Sequence, residues 1–149
     1  NGDKNINGPY IKPGNYKVQV SVDNQNIMSK EFIVIKDPNT NTSQNTFIEL
    51  EEFQLKLLDK INQAIQLANE LKSLKSEKKI KKNKLKTLNK KLDLLETKEG
   101  TYMQPMLIDQ LRYLYNMVTK ADQVLGKDAH DRYKELNLQL ERIKENILL

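Results

Sequence analysis

The chain has 149 residues, of which 30% are charged, and carries a formal net charge of +5. Its hydrophobic share of 38% and mean hydropathy of −0.71 favour an elongated helical structure with much surface over a deep core. The absence of cysteine excludes disulfides and thiolate chemistry. No apolar segment approaches the roughly 18 residues that a membrane span needs. The chain opens at Asn1 without a Met or a signal peptide, so we expect an excised fragment or a processed product.

Residues 15–35 alternate between apolar and polar with the period of β-strands. Every second residue of Tyr16–Val22 is apolar, which predicts a strand with one apolar face. The segment Asp23–Asn26 tolerates left-handed backbone and predicts a hairpin turn, followed by a return strand over Ile27–Ile35. Pro38 cannot donate to a ladder and ends the hairpin. The return-strand residues predicted to face inward are Met28, Phe32 and Val34.

Two strands are marginal on their own in water, so the apolar face of this hairpin requires a cover. One alternative is that residues 1–38 end an immunoglobulin-like sandwich whose earlier strands lie upstream of residue 1. The other is that the helices of this chain cover the face and form a small α+β domain. We expect the first arrangement.

After a polar linker, apolar residues recur at spacings of three and four, the pattern of amphipathic helices. Thr46 and Glu49 match a capping box at the start of the first helix, and Ser43 is a competing N-cap. This helix should extend to about Leu74. Its predicted apolar stripe consists of Leu50, Phe53, Leu57, Ile61, Ala64, Ala68 and Leu71, widened by Leu58, Ile65 and Leu67.

Three further helices are predicted. The second covers roughly residues 77–97, with Gly100 as its breaker. Pro105 suits the first turn of the third helix, Gly126 suits a left-handed end to it, and Asp128 suits the N-cap of the fourth. The apolar positions are Ile80, Leu85, Leu88, Leu92 and Leu95, then Leu107 or Ile108, Leu111, Leu114, Tyr115, Val118 and Ala121, then Tyr133, Leu136, Leu140, Ile143 and Ile147.

The predicted fold class is therefore mainly α: an antiparallel four-helix up-down bundle preceded by a β-hairpin, the terminal strands of an Ig-like sandwich. Residues 1–38 would be the end of the Ig-like module, 39–45 a linker and 46–149 the helical bundle.

No pattern in the sequence predicts a catalytic, metal or cofactor site. The single histidine, His130, has no second His or Cys for a metal site and no evident nucleophile beside it. The clustered acids lie near helix N-termini, where the macrodipole explains them without a glycosidase pair, and the scattered glycines form no phosphate loop. These acids are Glu49, Glu51, Glu52, Asp128 and Asp131.

Four tyrosines in the helical region could suggest a sugar-stacking platform. Tyr115 and Tyr133 fall on the predicted core stripes, so packing is the expected role for both. Tyr102 and Tyr113 remain weak ligand candidates.

The charge of the chain is concentrated in one segment. Residues 75–91 contain nine lysines and one acid, Glu77. The structural interpretation is a solvated helix tip, and the functional interpretation is contact with a polyanion or an acidic surface. No aromatic residue occurs in 72–101, which argues against recognition of nucleic acid bases. The candidate polyanion contacts are Lys78, Lys79, Lys81 and Lys82.

Two parts of the chain carry a family resemblance. The first is Gly8-Pro9-Tyr10, then Pro13–Val18, then Asp37-Pro38, which resembles a GP…PG-x-Y-x-V…DP stretch. The second consists of Leu111–Tyr115, Lys120–Gln123, Gly126–Ala129 and Arg132–Leu136. Together they resemble the C-terminal region of bacterial sortilin-like, BNR-repeat β-propeller proteins, which often carry the label glycosyl hydrolase.

This resemblance implies an extracytoplasmic parent protein whose upstream propeller and Ig-like domains would be the partners of this region. Any ligand binding or hydrolysis would belong to the propeller, because none of the family's catalytic residues maps onto this chain. The expected role is therefore a non-catalytic accessory region. The density of lysine at 75–91 departs from the family pattern.

Overall fold

The computed structural model of the chain describes residues 8–76, 81–100, 103–120 and 124–145. A hairpin of β1 (Gly14–Val22) and β2 (Gln25–Val34) precedes four helices, α1 (Gln44–Lys75), α2 (Lys82–Leu95), α3 (Leu107–Val118) and α4 (Lys127–Glu145). The predicted class, mainly α with a hairpin before four helices, is confirmed. Several residues named in the sequence predictions lie outside the described residues, among them Glu77, Lys78, Lys79, Ile80, Tyr102, Ala121 and Ile147.

The hairpin turn is tighter than the sequence suggested. It consists of Asp23 and Asn24 alone, with φ of 49° and 62°, the positive values that a type I′ turn requires at both central residues. The ladder pairs Gly14 with Val34 and continues with one shift of register between Val20 and Ser21. Ile27 is the extra residue on β2, so the bulge lies in the return strand.

The N-cap of α1 lies three residues before Thr46, the N-cap that the capping box predicted. Its N-cap is Ser43, whose Oγ accepts a hydrogen bond from the backbone N–H of Thr46 at 3.1 Å. Thr46 therefore belongs to the first turn, where its side chain is buried. The capping box of Thr46 and Glu49 was wrong, because the competing serine is already in extended backbone and supplies the cap.

Side-chain contacts fix the relative directions of α1, α3 and α4. Phe53 contacts His130, Lys60 pairs with Glu141 and Gln63 accepts from Lys144, so α4 runs alongside α1 in the same direction. Helix α3 runs antiparallel to both, since Leu50 near the start of α1 lines the same groove as Leu114 and Val118 near the end of α3.

The arrangement differs here from strict up-down alternation, in which α1 and α4 would be antiparallel. The reason lies at the end of α2, where Glu96 forms an ion pair with Lys72 in the last turns of α1 (2.6 Å). The chain therefore lies near the C-terminal end of α1 when α3 begins. Helix α3 then extends toward the N-terminal end of α1. The Thr97 hydroxyl, which accepts from the N–H of Met106 at 2.9 Å, ties the start of α3 to this end.

All four helices contribute to one core centred on α1. The seven residues of the predicted α1 stripe are all buried, as are the predicted positions of the third helix from Leu107 to Val118. In α2, Leu88 and Leu95 are buried, while Leu85 and Leu92 are half-buried. The largest of the fully buried side chains are Leu57, Ile61, Leu71, Leu95, Leu107, Leu111, Tyr115, Leu136 and Leu140.

The connections around α3 depart from the predictions. Pro105 precedes the helix, whose N-cap is Met106, and α3 ends at Val118 rather than near Gly126. Gly126 instead stands directly before α4, without positive φ, and its carbonyl accepts from the N–H of Ala129. Asp128 accordingly lies in the first turn of α4 rather than at its cap. The prediction for Gly126 was wrong because a glycine between two helices can follow the first or precede the second, and the sequence does not distinguish these positions.

Candidate functional site

The hairpin presents an apolar face that is open to solvent. Residues directly opposite on two antiparallel strands share a face, and the register pairs Tyr16 with Phe32 and Val20 with Met28. The rings of Tyr16 and Phe32 stack with centroids 5.8 Å apart. Val18, Val22 and Phe32 are 53%, 52% and 42% exposed. We call this surface the hairpin apolar face and define it as Tyr16, Val18, Val20, Val22, Met28, Phe32 and Val34.

No helix packs across the hairpin apolar face among the residues that the structure describes. This result contradicts the alternative in which the helices cover the hairpin to form a small α+β domain. The opposite face is mainly polar, with Lys17 opposite Glu31 and Gln19 opposite Ser29. The polar face of the hairpin is therefore suited to contact with solvent, and the hairpin apolar face is suited to packing against another structural element.

The base of the hairpin is attached to α1 by side chains of that helix. The backbone N–H of Tyr10 donates to Gln54 Oε1 (3.0 Å), and the N–H and ammonium of Lys12 both donate to Glu51 (3.3 and 2.6 Å). Gln44 Nε2 donates to the carbonyl of Pro13 at 2.9 Å. We call these contacts the α1 clip. They hold residues 10–13, which lead into β1, against the first turns of α1.

The α1 clip gives two α1 residues roles that the sequence did not predict. Gln54 is buried although it is polar, because its amide oxygen is committed to Tyr10. Glu51 was attributed to the helix macrodipole, yet it is the partner of Lys12, and its hydrogen bond raises the pKa of that ammonium. The available signal was the i, i+3 spacing of Glu51 and Gln54, a polar pair beside the apolar stripe.

The lysine segment is only partly a solvated surface. Lys81, Lys82, Lys84, Lys86 and Lys90 are exposed, and none of them forms an ion pair within the described part of the chain. Lys81 is the N-cap of α2 and makes no side-chain cap, and the first turn of α2 has no acid. Of the four candidate polyanion contacts, Lys81 and Lys82 stand side by side at this helix start, while Lys78 and Lys79 lie outside the described residues.

Lys91, grouped by sequence with the solvated lysines, is instead buried at 7% exposure. Its ammonium donates to the carbonyl oxygen of Ile143 in the last turn of α4, at 2.7 Å. Burial lowers the pKa of Lys91, since the charged form loses solvation. The interaction places a cation at the negative end of the α4 dipole, and it joins α2 to α4.

A groove of about 760 Å³ lies between α3, α4 and their connection. Its wall is mainly apolar, with Leu114, Met117 and Val124 among the lining residues. The most prominent cation at its edge, Arg132, is already hydrogen-bonded to Gln110 (2.7 Å) and Glu135 (2.9 Å). The groove therefore offers mainly apolar contact. Sequence reasoning missed it, although Tyr113 and Met117, four residues apart and off the core stripe, were an available signal.

The other sequence candidates are separated from one another. His130 is exposed and its ring meets Phe53 edge-on, with centroids 5.0 Å apart. Tyr115 is buried and Tyr133 half-buried against Phe53, which confirms their packing role, whereas Tyr113 is exposed. Within the described ranges, no group of three or more His, Cys, Asp or Glu side chains is placed to hold a metal ion.

Comparison of the chain with protein-family models, with curated proteins and with solved structures found no match. Among the helices in the described residues, none combines the length and apolar character needed to span a bilayer.

Proposed function

We propose that this chain is a non-catalytic structural region whose helical bundle carries the hairpin as an unfinished piece of a β-module. The single observation that carries this proposal is the hairpin apolar face, a row of valines and aromatics left open beside a bundle whose own core is closed. Exposed apolar patches of this kind mark interaction surfaces in soluble proteins. The α1 clip supports the same role, because it attaches the hairpin at its base and leaves the face free.

The larger assembly follows from the sequence resemblance. The hairpin would supply the terminal strands of an Ig-like sandwich in a secreted or otherwise extracytoplasmic sortilin-like β-propeller protein. The bundle would then pack on the propeller, space it from another body or dock a partner. Any glycoside hydrolase activity would belong to an active site upstream of this chain.

The test is to measure the intact mass of the natural gene product in native cells, with the product detected through a peptide from residues 106–149. A product of the size of a propeller plus this region supports the proposal. A product of about 17.4 kDa, the mass of this chain alone, contradicts it. Turnover of glycosides or peptides by the isolated chain would also contradict it, since no catalysis is assigned here.

A second candidate function is polyanion binding by the start of α2. It is favoured by the run of exposed lysines that lack acidic partners, because each phosphate or sulfate contact releases counterions. Retention on heparin should then collapse between low and moderate salt. Replacing Lys78, Lys79, Lys81 and Lys82 with Ala should abolish retention. The matched control removes four exposed lysines elsewhere, Lys17, Lys56, Lys120 and Lys134, and should retain most of it; equal loss in both variants would indicate net charge alone.

A further inference from the structure

The two strands of the hairpin differ in how well they are protected against pairing with another strand. Lys30 of β2 lies directly opposite Val18 of β1 and thus projects from the hairpin apolar face itself. A charged side chain on the apolar face is a device by which natural sheets prevent further pairing at an edge. The bulge at Ile27 is a second such device, and it also belongs to β2.

Strand β1 carries neither device. Its contribution to the apolar face is uninterrupted from Tyr16 through Val18 and Val20 to Val22, and it has no extra residue. On the opposite face Lys17 and Glu31 face each other, one on each strand, so these charges do not distinguish the two edges. The asymmetry in charge between the strands is therefore confined to the hairpin apolar face, and the bulge adds a backbone asymmetry.

The size of the face argues against a second copy of this chain as its cover. A strand of nine residues at about 3.3 Å per residue, paired about 4.8 Å from its neighbour, gives a face of roughly 300 Å². Two such faces stacked together would bury roughly 600 Å² in total, about half of what a stable interface needs. A partner that also pairs with a strand edge gains backbone hydrogen bonds that stacking alone lacks.

From this asymmetry we infer that the partner of the hairpin is a β-strand that joins the free edge of β1, with its apolar side chains extending the hairpin apolar face. β2 remains the outer strand of the completed sheet. The inference rests on the proposed function, since it names the kind of partner and the edge that the unfinished β-module uses.

The test uses the full 149-residue chain, labelled with ¹⁵N, and a synthetic strand peptide of alternating Thr and Val with a Lys at each end. Addition of the peptide should slow hydrogen exchange at alternate amides of β1 and leave the amides of β2 unchanged. Val20→Lys should weaken peptide binding about tenfold or more, because the ammonium would stand on the shared face directly beside the apolar side chains of the joining strand. Met28→Lys, its directly opposite partner on β2, is the matched control and should bind within about twofold of the original.

Slowed exchange in β2, or equal weakening by Val20→Lys and Met28→Lys, would overturn the choice of edge. No change in either strand at millimolar peptide would overturn strand addition itself. Concentration-dependent association of the chain without peptide would favour a second copy and overturn the inference in the same way. None of these outcomes bears on the mass of the natural product, so failure of the inference is distinguishable from failure of the proposed function.

Discussion

The ammonium of Lys91 lies 2.7 Å from the carbonyl oxygen of Ile143, so a lysine of α2 donates a hydrogen bond to the last described turn of α4. This contact joins two helices that are distant in sequence, and among the lysines of the basic segment that the structure describes, Lys91 alone is buried. A cation from a neighbouring helix is favourable near the C-terminal end of a helix, because the helix dipole is negative there.

Lys91→Met should loosen the end of α4. The substitution keeps the aliphatic length and removes the donor, so the last turn of α4 loses a charge-assisted hydrogen bond. We expect faster hydrogen exchange at residues 143–145 and a loss of about 1 kcal/mol in the free energy of unfolding, reduced by relief of the buried charge. The exposed neighbour Lys90→Met is the control and should change neither quantity noticeably. Unchanged exchange in Lys91→Met would show that the contact does not hold the helix end.

The contribution of Lys91 should also depend on pH in a defined direction. Its pKa is lowered by burial, so the folded protein releases this proton at a lower pH than the unfolded chain, which holds it to about the ordinary value of 10.5. Between these two values unfolding takes up a proton, and the free energy of unfolding therefore rises with pH. We expect the free energy of unfolding of the original protein, measured by urea denaturation, to rise relative to that of Lys91→Met as the pH increases from neutral to 10.5. A shift in the other direction would contradict the assignment.

Lys30→Val should promote self-association. It replaces the charge within the hairpin apolar face by an apolar side chain and so removes the charge that protects the β2 edge. Sedimentation velocity at increasing concentration should show dimers or larger species for this variant. Lys17→Val removes the same charge from the opposite face and is the control that should remain closer to the original. If both variants associate equally, general loss of charge is the cause.

Glu51→Ala should uncouple the hairpin from the bundle without unfolding either. Both donors of Lys12 lose their acceptor, while the core side chains of α1 are untouched. We expect faster exchange at the Tyr10 and Lys12 amides and a change in unfolding free energy within about 1 kcal/mol, the usual range for partly exposed ion pairs. Glu52→Ala, an exposed neighbour on the same helix, should leave the exchange of these amides unchanged. Equal effects of the two variants would contradict the α1 clip.

Leu57→Ala should strongly destabilise the bundle. Leu57 is fully buried at the centre of α1, and truncation there removes apolar contacts and leaves a cavity. The expected loss is about 2–5 kcal/mol in the free energy of unfolding measured by urea denaturation. Leu55→Ala, on the same helix and 50% exposed, provides the same chemical change outside the core and should cost less than about 1 kcal/mol. Similar losses in both would contradict the placement of α1 at the centre of the core.

The positions that sequence predicted well are those where periodicity alone decides the outcome. The α1 stripe from Leu50 to Leu71 is buried as predicted, because a helix with apolar residues at three- and four-residue spacing has only one face to bury. The alternation in β1 likewise determined one apolar face of the hairpin. Helix boundaries were less well predicted, since Ser43 and Thr46 are both good caps and only the backbone at Ser43 distinguishes them.

By itself, then, the sequence determined that this protein has an apolar hairpin followed by four amphipathic helices, because those features depend on neighbours within a turn or a strand. Only the tertiary structure decided that Lys91 is buried, that Glu51 and Gln54 hold the entry to β1, and that α4 runs in the direction of α1. It also decided that, within the described ranges, no helix covers the hairpin apolar face. These outcomes depend on groups as far apart as Lys91 and Ile143, and local patterns carry no information about which distant groups will meet.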